Sequence, residues 1–160
     1  MPVATPPDTG PVARERGLHV ICIRGEQHVM QAARTARQLA ERLGFTRNLA
    51  YHVATATSEL ASNLAVHAGG GHVYLRPLAG PDGHPTGLEV IAEDQGPGIV
   101  DLTLAMTEGY STASRLGCGL PGASRLMDEF YIRSTPGQGT HVRAVKWRQA
   151  ETPECKRAAT

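Results

Sequence analysis

Three sparse polar motifs, in order along the chain, could together build one nucleotide pocket. The first is the pair Glu59 and Asn63, within Ser58-Glu59-Leu60-Ala61-Ser62-Asn63. Four residues apart on a helix, they project from one face, so a carboxylate and an amide oxygen converge on the same small volume. That suits magnesium and water: nucleotide-bound Mg2+ keeps several waters and takes few protein oxygens, so Asn63 as ligand and Glu59 as base suffice chemically. Taken alone, such a pair is more often a solvated helix face. The second motif is Glu93-Asp94-Gln95-Gly96-Pro97-Gly98-Ile99. Asp94 follows an apolar run, which puts an acceptor for an exocyclic amine, such as that of adenine, at a strand end. Gly96 and Gly98 lack a Cβ and let a ligand approach the backbone closely, although Gly-Pro-Gly alone is an ordinary tight turn. The third, Leu116-Gly117-Cys118-Gly119-Leu120-Pro121-Gly122, leads into a helix whose free N–H groups and positive dipole end would face a polyphosphate. Gly117 to Gly122 also spells G-x-G-x-x-G. No strand precedes it and no acidic residue stands about 20 positions later at a strand end, so a dinucleotide fold is set aside.

Periodicity indicates which elements must position these groups. Residues 18–23 are β-branched and bounded by Gly17 and Gly25, which predicts a strand. Residues 26–43 carry Val29, Ala32, Ala36, Leu39, Ala40 and Leu43 at helical spacing, with Gly44 as the stop. Thr46 offers an N-cap for a second helix over 47–67, which ends at Gly69-Gly70-Gly71. Residues 72–78 and 87–93 predict a hairpin around the turn-rich segment from Gly80 to Pro85. Residues 100–116 hold only a weak helical turn and read as a lid folded over a site. A helix over 121–129 and strands over 130–134 and 140–147 complete the order β-α-α-β-β-α-β-β. That order predicts an α+β fold: a two-layer α/β sandwich with helices on one face of a mixed, mostly antiparallel sheet. Residues 1–16, rich in Pro and Thr, read as a mobile arm, 17–149 as the domain, and 150–160 as a polar tail.

Composition narrows the function classes. A chain of 160 residues with 41% hydrophobic content is one domain's worth and buries a core. The formal charge of +1, with Lys and Arg scattered, supplies no electrostatic footprint for nucleic acid and no polybasic membrane patch. Cys22, Cys118 and Cys155 are odd in number and widely spaced, against a disulfide framework or a zinc site. The seven histidines show no zinc-site spacing and read mostly as surface residues. No apolar run approaches the roughly 20 residues of a membrane span and no signal peptide is visible, so no membrane insertion and a cytoplasmic location are expected.

Taken together, the motifs resemble the boxes of the Bergerat-fold (GHKL) ATPase and kinase superfamily, which includes gyrase, histidine kinases and MutL. Glu59 to Asn63 looks like its N box, Asp94 to Gly98 its first glycine box, Gly117 to Gly122 the second, and Gly137-Gln138-Gly139-Thr140 the last. The segments 105–112, 116–122 and 125–130 further resemble the RsbT-type serine/threonine switch kinases of the bacterial stressosome. This resemblance covers about residues 18–147 and implies ATP and Mg2+ as cofactors. It puts Asp94 on the adenine amino group with help from Thr140, and Gly96 and Gly98 beside the nucleotide. Asn63 falls on the metal, Gly117, Gly119, Leu120 and Gly122 around the phosphates, and Glu59 in the role of general base. The implied substrate is a serine or threonine of a STAS-domain protein, and the implied second partner a PP2C-type phosphatase. An anti-sigma factor kinase and a non-catalytic, ATP-gated interaction module are the alternatives. The retained Glu59 speaks against the latter.

Overall fold

The computed structural model describes residues 17–107 and 119–148. Its elements are β1 (His19–Ile23), α1 (Glu26–Arg42), α2 (Arg47–His67), β2 (Gly71–Ala79), β3 (Pro85–Glu93), α3 (Leu102–Ala105), α4 (Gly119–Leu126), β4 (Glu129–Thr135) and β5 (Gly139–Trp147). The five strands form one sheet in the order β1-β2-β3-β5-β4, and all four pairings are antiparallel. This is the expected α+β sandwich. The mixed pairing expected for the sheet is absent among the described residues, because each of these strand pairs is antiparallel.

Local signals explain the helices. Gly44 ends α1 with φ +83°, its N–H donating to the Glu41 carbonyl while the Phe45 N–H donates to that of Ala40. Two otherwise unpaired carbonyls are thereby satisfied, which is the Schellman arrangement. Thr46 caps α2 by accepting the Leu49 N–H at 3.3 Å. The α1 and α2 stripes bury Val29, Ala32, Ala36, Leu39, Leu49, Val53, Leu60 and Leu64. Against them stand the inward residues of the strands, Ile21, Ile23, Val73, Leu75, Leu88, Val90, Ala92, Val142 and Ala144, one in every two as strand geometry requires. Full burial of each large apolar side chain contributes about 1.5–3 kcal/mol.

Boundaries moved where local hydrogen bonding outweighs pattern. The last helix runs over Gly119–Leu126 rather than 121–129, because Asp128 leaves it to join the sheet. Its N–H donates to the Val145 carbonyl at 2.8 Å, and its carboxylate accepts from the Trp147 N–H and from Lys146 Nζ. The weak turn at the start of the expected lid is α3, capped by Asp101, whose Oδ1 accepts the Leu104 N–H at 3.0 Å. The rest of that segment, residues 108–116, lies outside the described residues together with 117 and 118, as do the arm and the tail.

Candidate nucleotide site

The loop after β3 leans on three neighbours that tolerate no extra atoms. Asp94 Oδ1 accepts the Gly96 N–H at 2.8 Å, which fixes the carboxylate over its own turn. A Cβ on Gly96 would lie 2.8 Å from Ala68 Cα, so this glycine lets the loop press against the end of α2. Gly98 has φ +72°, and a Cβ there would run into the Thr135 carbonyl. Gly139, at φ +95°, passes equally close to the Asp94 carbonyl. The Asp94 N–H donates to the Thr140 carbonyl at 3.0 Å, extending the β3–β5 ladder one step beyond Glu93 and His141. Asp94 and Thr140 therefore emerge side by side on the helix-covered face.

Between this loop, α2, α3, β5 and α4 lies a cavity of about 640 Å³. Asn63, Asp94, Gly98, Leu120 and Thr140, five of the residues singled out in the sequence, line it together. Its walls are otherwise apolar, with Leu60, Leu64, Ala92, Ile99 and Val142, and His67 also lines it. An apolar cavity with a few convergent polar groups suits a purine ring with a polar edge. Glu59 lies one helical turn before Asn63 and is not among the lining residues. It is 2% exposed, and its Oε2 accepts the N–H of Gly119, the first residue of α4, at 3.1 Å. Gly119 adopts φ +54° and is buried together with Gly122, neither lining the cavity. Gly117 and Cys118 lie outside the described residues. Among the described residues, no group of three or more His, Cys, Asp or Glu side chains could hold a metal ion. A cation here would rely on Asn63 and on oxygens of the ligand, which suits Mg2+.

Sequence reasoning had placed His67 among surface histidines. It is exposed, yet Asn63 is four residues before it, so the same-face rule that joined Glu59 to Asn63 would have found it. Ser134 was missed as well. It faces Thr140 across the β4–β5 ladder, and its Oγ lies 2.8 Å from Thr140 Oγ1. Its inward alternation with Phe130 and Ile132 was a usable signal.

On the far face of the sheet, Glu89 is fully buried beneath Arg76 and Arg143, both of which donate to it. His141 shares that face. Burial holds its imidazole below the ordinary value of 6.5, against the opposing pull of Glu93.

The fold is that of a GHKL-type ATPase domain, and comparison with known proteins agrees. Residues 25–146 match the histidine kinase-like ATPase domain, and the chain belongs to that family. Within it the chain is similar to the serine/threonine-protein kinase RsbT of Bacillus subtilis (strain 168), at 44% identity over 128 residues, covering 79% of this chain and 95% of that protein. It is also similar to the anti-sigma F factor of Thermoanaerobacter sp. (strain X514), at 34% identity over 59% of this chain and 68% of the relative. The anti-sigma F factor of Pasteuria penetrans matches at 32% identity over 61% and 68%. The chain is thus of the RsbT-type serine/threonine kinase group.

Proposed function

We propose that this protein binds ATP with Mg2+ in the cavity and transfers the γ-phosphoryl group to a serine or threonine hydroxyl of a STAS-domain protein, in a cytoplasmic partner-switching pathway. The observation that carries the proposal is the convergence of Asn63, Asp94 and Thr140 on one apolar slot, with Glu59 one turn away at the start of α4. Asp94 accepts from the adenine amine, and the Gly96 N–H keeps its carboxylate aimed. Asn63 offers an amide oxygen to Mg2+, which when bound supplies charge neutralisation to the phosphates. The hydroxyl oxygen forms the new bond to the γ-phosphorus, the bond to ADP breaks, and Glu59 takes the hydroxyl proton. The phosphates would lie toward the α4 N-terminus, where Gly119 gives its N–H to Glu59 and Leu120 lines the cavity. Release from the phosphorylated partner then frees the kinase for a PP2C-type phosphatase.

The similarity to anti-sigma F factors favours one second reading, a kinase that also binds a sigma factor. The longer match to RsbT ranks it second. The test is incubation of purified protein and ATP with purified STAS-domain proteins, with and without a Mg2+ chelator, following phosphate on the STAS protein by intact mass. Mg2+-dependent transfer to Ser or Thr is expected. ATP binding without transfer to any of them would favour a nucleotide-gated interaction module, and co-purification of a sigma factor would favour the second reading.

A further inference from the structure

Ser134 does not line the cavity, yet its hydroxyl ties together the two segments that form the adenine end. It accepts the Ile99 N–H at 2.7 Å, donates to the Gly139 carbonyl at 3.1 Å, and lies 2.8 Å from Thr140 Oγ1. A serine hydroxyl has one hydrogen and two lone pairs. The Ile99 N–H can only donate and the Gly139 carbonyl can only accept, so these two contacts use the hydrogen and one lone pair. Only a lone pair remains for Thr140, which must then be the donor in the pair. The single hydrogen of the Thr140 hydroxyl is thereby turned toward Ser134, and Thr140 Oγ1 meets the cavity as an acceptor. Asp94, whose backbone is hydrogen-bonded to that of Thr140, is an acceptor too, one of its oxygens being held by the Gly96 N–H.

We propose that Ser134 is a positioning residue for nucleobase choice: by taking the Thr140 hydrogen, it makes the adenine end a wall of acceptors. This inference rests on the ATP reading above. An amino group with two N–H bonds satisfies such a wall, whereas a carbonyl at the same ring position sets oxygen against oxygen. With Ser134 removed, Thr140 is free to rotate and to donate, and a carbonyl becomes acceptable.

The experiment is calorimetric titration with ATP and with inosine triphosphate, which carries a carbonyl in place of the amine. The wild type is expected to prefer ATP by roughly tenfold or more, the worth of an unmade buried hydrogen bond. In Ser134→Ala the ratio of the two dissociation constants should fall about fivefold or more, whatever happens to overall affinity, and Ser134→Thr should restore it. Equal weakening of both ligands in Ser134→Ala, with the ratio intact, would make Ser134 scaffold only and overturn the inference. Should Ser134→Ala not fold, Thr140→Val removes the same acceptor and must narrow the ratio as well; an unchanged ratio there overturns it equally. Failure of the wild type to bind ATP would instead remove the nucleotide reading, and the inference with it.

Discussion

Asp94 shows how one residue's geometry dictates what a substitution does. Because the Gly96 N–H holds one side-chain oxygen, an asparagine would keep its amide oxygen there and turn its NH2 toward the ligand. Donor would then face donor at the adenine amine. Asp94→Asn is therefore expected to weaken ATP binding by about ten- to a hundredfold, measured by titration; unchanged affinity would remove Asp94 from the adenine contact. That Asn63, Asp94 and Gly98 line one cavity was legible in the sequence because their chemistry is rare and their spacing is local: Asn63 four residues after Glu59, and Asp94 beside its glycines. Ser134 was legible only in part: alternation with Phe130 and Ile132 turns it inward, but its partners are Thr140, six residues later on the next strand, and Ile99, 35 residues earlier. No local periodicity carries that information.

The strand ends and their turns were predicted from glycine and alternation, and the structure adds why those glycines are needed. Gly98→Ala would put a side chain at φ +72° against the Thr135 carbonyl. The left-handed penalty and the clash together should cost at least about 2 kcal/mol, read by denaturant unfolding. A loss below about 0.5 kcal/mol would show that the 94–99 turn relaxes freely. Glu89 joins three adjacent strands, since Arg76 on β2 and Arg143 on β5 both donate to it. Glu89→Ala removes the carboxylate that both guanidinium groups share and should cost about 3 kcal/mol. Sequence gave no warning of this cluster, because a charged residue among Leu88, Val90 and Ala92 reads as a solvent-facing strand position. It does face away from the helices, and the two arginines are what bury it. His141 lies on the same face with its folded-state pKa lowered by burial, so as pH falls through 6.5 the unfolded chain takes up the proton first. Stability should accordingly decline as pH falls through 6.5 toward the folded-state value, and His141→Gln should flatten that part of a melting-temperature profile. An identical profile would mean that other groups set the acid limb.

At the scale of the whole molecule, two helices covering one face of an antiparallel sheet leave a slot where the strand ends, α2 and α4 meet. The layers were legible because they follow from element order and two hydrophobic periods. The slot itself was not, since its walls are the same Leu and Val residues that periodicity assigns to an undivided core. None of the described helices is long and apolar enough to cross a membrane. Ligand binding to the native state alone stabilises it by mass action, so ATP with Mg2+ at a hundred times its dissociation constant should add about 2.7 kcal/mol. A thermal-shift experiment in which ATP raises the melting temperature and NADH does not would agree with this site. The central claim, that the slot feeds a phosphoryl transfer for which Glu59 is the base, is tested most directly by single-turnover transfer to a STAS-domain substrate, comparing wild type with Glu59→Gln. Glutamine keeps an oxygen for the Gly119 N–H but cannot take a proton. Transfer slower by about a hundredfold or more, with ATP affinity unchanged, is the predicted result. Transfer at the wild-type rate by Glu59→Gln would contradict it.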